Sequence, residues 1–558
     1  MNDNIKQSIE KVCQSEFGID TAVIFERPDK QFGDIAINIA MQLAGVLKQK
    51  PRDVAERLLP LLQDALADVA AEVTIAGPGF INIRLNDRAL WGATERTITE
   101  HFKGETVVAE YSDPNPFKIL HAGHVYTTVV GDAIATLLEE GGATVHRVNF
   151  GGDVGLHVAK TLYIVLRRLG GENADGLTAI EETGRAEWLA AAYSEGHAAY
   201  VEDAQAKVAI TQLNRRIYDI QQSQDHDSAL ARIYWTCREW SYAAFDAFYK
   251  RLGTTIEKYY PESATVEPGM DAVKTHIGTV FEESEGAVIF RGEKFGLHNR
   301  VFINQQGLPT YETKDVGLIL KKYEDYHFDR SVVVTGNEQE QYMHVVLKAI
   351  EQFLPDLARS TTYVPHGMLR LAGGVKMSSR LGNIVRASVV LDSTTEALAV
   401  AGRKEDPAIM LAAIKYAFLK SRLGRDLIYD PKESIALEGN SGPAILYAHA
   451  RARSILSKVD SDAVLTEALK YSLQPDERAL LRKISEYQSA VEKAQTELMP
   501  HHICTYLYEL AQEFNRFYEH NRVVDDLREV VRAELVKRYA ATLKQGLRLL
   551  NITAPDQM

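Results

Sequence analysis

Val107-Val108-Ala109-Glu110-Tyr111-Ser112-Asp113-Pro114-Asn115-Pro116-Phe117-Lys118-Ile119-Leu120-His121-Ala122-Gly123-His124 is the stretch on which the fold turns. Val107 to Tyr111 is a short apolar run of the length and β-branched content expected of a buried strand. Ser112 to Pro116 is made of turn-forming residues. Helical periodicity then runs from about Gly123 to Glu140, and Gly141-Gly142 stop it. A second apolar run, Thr144 to Phe150, completes a strand–helix–strand unit, the building element of a doubly wound parallel sheet. Ligands of such sheets lie beyond the carboxyl ends of the strands, where helix N-termini offer free N–H groups to anions. His121 and His124 are three apart and share a helix face there. Gly123 between them lets a nucleotide approach the backbone. Two surface histidines at a helix start would spell the same pattern, so these letters alone decide nothing.

Outward from this unit, Val301 to Asn304 and Ser331 to Thr335 read as further strands. The intervening stretch, about 171–275, is charged, Ala-rich and helical, and reads as an insertion. Residues 1–104 look like a small α+β unit. In it, Ile35 to Leu47 and Pro51 to Leu66 carry amphipathic helical patterns, and Val73 to Leu85 reads as a hairpin around Gly77-Pro78-Gly79. From about residue 405 the chain is helical almost throughout. The expected fold is therefore α/β and multidomain: an α+β unit over 1–104, a Rossmann-type parallel-sheet domain over 105–400, and an α-helical domain over 401–558.

The bulk numbers constrain function less. The 558 residues, at roughly 100–200 per domain, imply three or four domains. No apolar run approaches the roughly 18 residues of a membrane span, and the start, MNDNIKQSIE, has no apolar segment of a secretory leader. Cys13, Cys237 and Cys504 are scattered and form no CxxC pair. They predict a reducing cytoplasm and no disulfide framework, zinc knuckle or other protein-bound structural metal. The net charge of −13 argues mildly against a nucleic-acid partner. A large enzyme can still gather its positive charge on one face.

Lys376-Met377-Ser378-Ser379-Arg380 lies between Gly373-Gly374 and Gly382-Asn383. A glycine-flanked loop with Lys and Arg can swing over a triphosphate and offset its charge as it leaves, although a solvated basic loop has the same composition. Taken together and in this order, His121-Ala122-Gly123-His124 and Lys376–Arg380 resemble the HIGH and KMSKS motifs of class I aminoacyl-tRNA synthetases. The residues around them resemble the arginyl-tRNA synthetases. Glu110 to His124 is similar to that family's acidic residue followed by S/P-N-P and HxGH. Gly152-Asp153-Val154-Gly155 resembles its GDWG, Tyr311-Glu312-Thr313-Lys314-Asp315 its YxTRD, and Asn337-Glu338-Gln339 its DQ pair. Ser441 to Arg451 resembles its SGPYxQYAHAR segment. Similarity runs from Gln31-Phe32-Gly33-Asp34 to Leu549-Leu550-Asn551-Ile552 and is thinnest over about 171–275.

The resemblance implies ATP, with Mg²⁺, as a substrate. It places His121, Gly123, His124, Lys376, Met377, Ser378, Ser379 and Arg380 around the nucleotide, with His121, His124 and Lys376 promoting adenylate formation. Ser379 stands where the family pattern has its second lysine, and Lys118 is the candidate to supply that charge. By the same analogy Glu110, Asn115, Tyr311, Asp315 and Gln339 line a pocket for L-arginine. A guanidinium is planar, always charged and rich in donors, so carboxylates suit it. Which carboxylate meets the guanidinium and which the α-amine stays open. The partner implied is tRNA(Arg), bound by a monomer, with Phe80 and Asn82 facing the tRNA elbow and Tyr447 and Arg451 the anticodon. Stacking on aromatics is how splayed bases are usually held; a core role for Phe80 or Tyr447 fits the same letters. Other departures are Val125-Tyr126 after HxGH, Val154 in GDVG, and Ala444 and Leu446 in the C-terminal segment. The competing functions are a synthetase for another amino acid, a nucleotidyltransferase, and a catalytically silent RNA-binding relative.

Overall fold

The computed structural model describes residues 2–95, 100–372, 385–403, 406–459 and 465–557. The Lys376–Arg380 motif lies outside them.

The N-terminal unit is a three-stranded antiparallel sheet, β1 (Ile35–Ile37), β2 (Ala70–Ala76) and β3 (Phe80–Leu85), in the order β1-β3-β2. Helices Asn2–Phe17, Ile39–Leu47 and Pro51–Ala65 accompany it. The β2–β3 hairpin forms where the Gly-Pro-Gly turn predicts it, and Pro51 occupies the first turn of its helix. The helical reading of Ile35 to Leu47 needs correction. Ile35, Ala36 and Ile37 are all buried and pair with β3 as a strand, and the helix starts only at Ile39. A short apolar run satisfies both periodicities, and the tertiary pairing decides.

The central domain holds a five-stranded sheet, every pair parallel: β4 (Thr106–Glu110), β5 (Thr144–Gly151), β6 (Lys258–Pro261), β10 (Arg330–Gly336) and β11 (Thr361–His366), in the order β11-β10-β4-β5-β6. The chain leaves β4 toward β5 and β6 on one side and returns to β10 and β11 on the other. The order therefore reverses between β4 and β10, where doubly wound sheets bind ligands. β7 (Glu282–Ser284), β8 (Ala287–Phe290) and β9 (Arg300–Ile303) form a separate antiparallel sheet. The strand read at Val301 to Asn304 thus lies outside the parallel layer. The insertion is helical through Arg185–Glu202, Ala204–Ser223 and Ala229–Leu252, but 258–261 rejoins the sheet as β6 and Glu262–Thr275 is a helix packed beside it. The expected insertion is therefore too long at its C-terminal end. Lys258-Tyr259-Tyr260-Pro261 is too short to announce itself as a strand.

Among the remaining described residues the regular elements are helices, apart from β12 (Leu369–Leu371) and β13 (Leu427–Tyr429), which pair in parallel. Between β4 and β5 runs the Ala122–Glu140 helix, buried at every position from Val125 to Leu138. A helix covered on all sides has no solvent stripe, which is why its apolar content is nearly continuous. Gly131 lets it cross directly over Tyr111; a Cβ there would lie 2.2 Å from that ring. Its other side meets C-terminal helices. Gln495 Nε2 donates to Leu137 O at 3.0 Å, Thr136 Oγ1 to Asn551 Oδ1 at 3.0 Å, and Arg548 pairs with Glu140.

The N-terminal unit also docks on those helices. Buried Asp34 accepts from Leu85 N at 2.8 Å and from Arg478 Nη2 at 2.5 Å, while Arg478 Nη1 reaches Asp87 at 3.0 Å. Lys30 pairs with Glu513 at 2.7 Å, and Arg538 donates to Trp91 O at 3.2 Å.

Candidate active site

The loop leaving β4 is tightly formed. Ser112, Asp113 and Phe117 take left-handed backbone angles, φ 77°, 46° and 66°. Non-glycine residues so held cost about 1–3 kcal/mol each and persist where surrounding contacts fix them. Those contacts are present: Asp113 Oδ1 accepts from Phe150 N at 2.8 Å, Asn115 Oδ1 from Gly152 N at 2.8 Å, and Phe117 N donates to Ser241 Oγ at 3.0 Å.

The loop delivers His121 to the N-cap of the Ala122–Glu140 helix. The His121 and His124 rings stack with centroids 3.8 Å apart. His121 N–H donates to His124 Nδ1 at 3.0 Å, which leaves the proton of a neutral His124 ring on Nε2. Burial, reinforced by the Lys118 ammonium, lowers His121 to about 4; burial, His121 and Lys118 push His124 well below the usual range. Both rings are therefore neutral at physiological pH and offer N–H donors without fixed charge. Burial also lowers the half-exposed Lys118.

The segment leading out of the Lys376–Arg380 region is bound directly to this motif. Ala122 N donates to Val385 O and Ala387 N to Leu120 O, both at 2.9 Å, and His121 and Arg386 form an antiparallel bridge. Val385 to Ala387 thus pair with the first motif on one short ladder.

Across the β4 end the chemistry changes sign. Glu110 Oε2 meets the fully buried Lys322 Nζ at 2.5 Å, and Lys322 also donates to Ser331 Oγ at 3.0 Å. Glu262, on the helix after β6, pairs with Lys314 at 2.6 Å, both side chains buried. Asp315 is half-buried and accepts from Tyr342 Oη. Burial chiefly, with Glu110 and Glu262 adding repulsion, pushes Asp315 up to about 7. Burial and Glu110 push Asp113 well above the carboxylate range. Two of the four carboxylates are paired with lysines, and Asp113 and Asp315 have no ion-pair partner among the described residues, which suits the site to a further cation.

Tyr311 opens the Tyr311–Tyr326 helix and is 64% exposed; Asp315 sits one turn on. Gln339 is exposed on the turn after β10. Glu110, Asn115, Lys118, His121 and His124 lie on β4, the loop after it and the helix that follows, Gln339 on the turn after β10, and Tyr311 and Asp315 on the helix between β9 and β10, where Asp315 meets Tyr342 of the helix after β10. Sequence reasoning overlooked Glu262, Lys322, Tyr342 and Asp113 as members of this cluster. Asp113 stood within the quoted motif; the others are single residues on remote elements and carry no local signal.

Three family models match in succession: the arginyl tRNA synthetase N terminal domain over residues 1–85, the tRNA synthetases class I (R) catalytic domain over 90–423, and the DALR anticodon binding domain over 445–558. The catalytic match alone spans more than half of the chain. The chain belongs to the arginyl-tRNA synthetase family. Among similar members, the arginine–tRNA ligase of Cutibacterium acnes is 31% identical, covering 98% of this chain and 98% of its own. That of Mannheimia succiniciproducens is 30% identical over 95% of this chain and 94% of its own. The solved Thermus thermophilus arginyl-tRNA synthetase shares the fold at a TM-score of 0.81, covering all of both chains at 24% identity.

The remaining candidates of this arginyl-tRNA synthetase family member lie on its terminal units. Phe80 is half-buried at the start of β3, and Asn82 is 5% exposed on the same strand, between β1 and β2. Asn82 therefore presents almost no amide surface to a partner. Tyr447 is 42% exposed, and the Arg451 guanidinium lies 5.1 Å from its ring and 5.9 Å from that of Tyr518, itself 40% exposed. This is an open cation–aromatic cluster on two C-terminal helices.

Proposed function

We propose that the protein is an arginine–tRNA ligase that activates L-arginine with ATP and transfers the arginyl group to the 3′ end of tRNA(Arg). The observation carrying this reading is the juxtaposition at the β4 end: neutral imidazole donors at a helix N-terminus beside a carboxylate cluster in excess over its cations. The phosphates of ATP and the guanidinium of arginine need those two environments.

In the first step an arginine carboxylate oxygen attacks the α-phosphorus of ATP, taken as its Mg²⁺ complex, and the bond to pyrophosphate breaks. His121 and His124 donate N–H groups to phosphate oxygens at the helix N-terminus, and Gly123 keeps the backbone open. Lys118, with Lys376, Met377, Ser378, Ser379 and Arg380, offsets the charge of the leaving pyrophosphate. In the second step the terminal ribose hydroxyl of the tRNA attacks the arginyl carbonyl carbon and AMP departs. Asp315 pairs with the guanidinium because its carboxylate lacks a cation, whereas Glu110 is already matched by Lys322. Asn115, Gln339 and Tyr311 complete the arginine pocket.

The units at 1–104, 105–400 and 401–558 divide the work, with Phe80 toward the tRNA elbow and Tyr447 and Arg451 toward the anticodon. The exposed Tyr447–Arg451 cluster supports that assignment. No helix among the described residues is long and apolar enough to cross a membrane; the reading places a monomer in the cytoplasm. ATP–pyrophosphate exchange with each amino acid, with and without tRNA, is the test. Arginine-specific exchange that requires tRNA is expected. Exchange with another amino acid, or none with arginine, overturns the reading.

A further inference from the structure

The Tyr311–Tyr326 helix carries Tyr311, Asp315 and Lys322 at a spacing that sets all three on one face. Two glycine contacts fix where that face points. A Cβ on Gly317 would lie 1.9 Å from Thr265 O, and one on Gly269 2.1 Å from Thr313 O, so the helix lies directly against the Glu262–Thr275 helix. The face descends from the open side inward: Tyr311 is exposed, Asp315 half-buried and Lys322 fully buried. Lys322 Nζ lies 2.5 Å from Glu110 Oε2 and donates to Ser331 Oγ at 3.0 Å. Val108 pairs with Ser331 and Glu110 with Val333, so the two partners stand on the same face of β4 and β10, the strands between which the order reverses.

Packing does not require an ammonium in this place. Its helix neighbours Leu318 and Ile319 are buried and apolar, and an apolar chain of similar length costs the interior less than a charge taken out of water. What the charge acts on is the acidic cluster above it. It draws both Asp113 and Asp315 downward, against the burial and carboxylate repulsion that raise them. Asp315 faces Glu110 from β4, Asp113 from the loop after it, Glu262 from the helix after β6, Tyr342 from the helix after β10, Tyr363 from β11 and Lys322 from its own helix. Glu262 is taken by Lys314 at 2.6 Å, and Arg300 of β9 reaches Glu312, at 3.6 Å, and the Tyr342 ring. Lys322 is therefore the cation among the described residues that bears on Asp315, yet it lies too deep to touch a substrate.

We propose that Lys322 is a positioning residue for arginine recognition: buried beneath the pocket, its ammonium holds Glu110 by one carboxylate oxygen and supplies the positive field against which Asp315 receives the guanidinium. The inference rests on arginine as the substrate and names the group that sets the charge of its pocket.

The test compares the native protein with Lys322→Met, Glu110→Gln and the double variant in arginine-dependent ATP–pyrophosphate exchange, with tRNA present, across the range from about pH 6 to about pH 9 that brackets Asp315. KM for arginine, KM for ATP, kcat and the melting temperature are read for each. In the native protein KM for arginine should climb as pH falls below about 7, where Asp315 takes up its proton. A neighbouring opposite charge moves a carboxyl by about one unit or more, so losing the ammonium should raise that midpoint by about one unit. KM for arginine in Lys322→Met should then stand about fivefold above native at pH 7, about tenfold above at pH 6 and close to native at pH 9, with kcat and KM for ATP near native. Glu110→Gln removes a repelling carboxylate and should lower the midpoint; adding Lys322→Met should raise it again by about one unit. That second step leaves no Glu110 carboxylate buried without its partner, so it decides the case if Lys322→Met alone does not fold. A midpoint unmoved by loss of Lys322 in the folded variants, or a KM for arginine that rises equally at every pH together with KM for ATP, overturns the proposal. Exchange by the native protein tests the activity separately: native exchange with arginine beside an unmoved midpoint refutes the role of Lys322 alone, whereas no native exchange with arginine refutes the substrate and this inference with it.

Discussion

On one side of the β4 carboxyl end stand His121 and His124, stacked, neutral and aimed from a helix N-terminus; on the other stand Glu110, Asp113, Glu262 and Asp315, with Lys322 and Lys314 as their ion-pair partners among the described residues. Both sides are buried, yet burial acts in opposite senses. It strips charge from the imidazoles, making them donors that suit an anion. It drives the Asp113 and Asp315 carboxyls upward, storing a demand for a cation. In the proposed reaction the ATP phosphates meet the donor side and the guanidinium of arginine the acidic side. On that reading one electrostatic difference sets both specificity and reactivity.

Removing charge from the acidic side should break the contrast most severely. Asp315→Asn keeps the shape and the Tyr342 hydrogen bond but leaves the guanidinium without its counter-charge, at about 2–5 kcal/mol. A drop of about 10²–10³-fold in kcat/KM for arginine is expected, with discrimination against citrulline, the neutral isostere, collapsing in the same variant. Glu110→Gln should retain more of that discrimination, because its partner is Lys322. If the two variants behave in reverse, the assignment of the guanidinium partner is wrong.

Next in size is the donor side. His121→Ala and His124→Ala should each lower the rate of arginine activation by about 10²-fold, the usual loss for one removed electrostatic donor, while arginine affinity stays near native. Single-turnover adenylate formation reads this directly, and unchanged rates in both variants refute the phosphate assignment.

The pH dependence sharpens the comparison further. Asp315 in the free protein is pushed up to about 7, and a guanidinium pairs only with its ionised form. Arginine binding must therefore expel a proton below pH 7. KM for arginine should rise about tenfold per unit as pH falls below 7 and level off above it. Asp315→Asn should abolish that slope. The imidazoles, with His121 lowered to about 4, should contribute none of it between pH 6 and 8.

The smallest effect belongs to the remote end. Tyr447→Ala should weaken tRNA binding by about 1 kcal/mol, close to fivefold, as expected for one stacked base. Adenylate formation at saturating tRNA should not change.

The two sides also differ in how far the sequence reveals them. The donor side is local: strand, turn, HxGH and helix lie within one continuous stretch, and the Ala122–Glu140 helix forms as its periodicity and flanking glycines dictate. The acidic side is assembled from four elements. Glu262 follows β6, a four-residue strand hidden at the end of what reads as a helical insertion, and nothing near Lys322 announces that it neutralises Glu110. The strand at Ile35–Ile37 was masked by the same ambiguity, since three buried residues suit a helix as well as a sheet. The docking of Arg478 on Asp34 and Asp87 joins residues whose partners lie hundreds of positions away, beyond the reach of any local pattern.

The enclosure of the Ala122–Glu140 helix bears on the order in which the protein is made. A ribosome releases the first turn of that helix long before it synthesises Asn551, the partner of Thr136 from 415 positions downstream. Until the Glu529–Leu549 helix emerges, Leu137 and its neighbours lack part of their cover, and the nascent central domain carries a raw apolar flank. This end of the enzyme therefore matures late: its motif is translated early, but part of the wall that steadies it comes from 415 positions further along the chain.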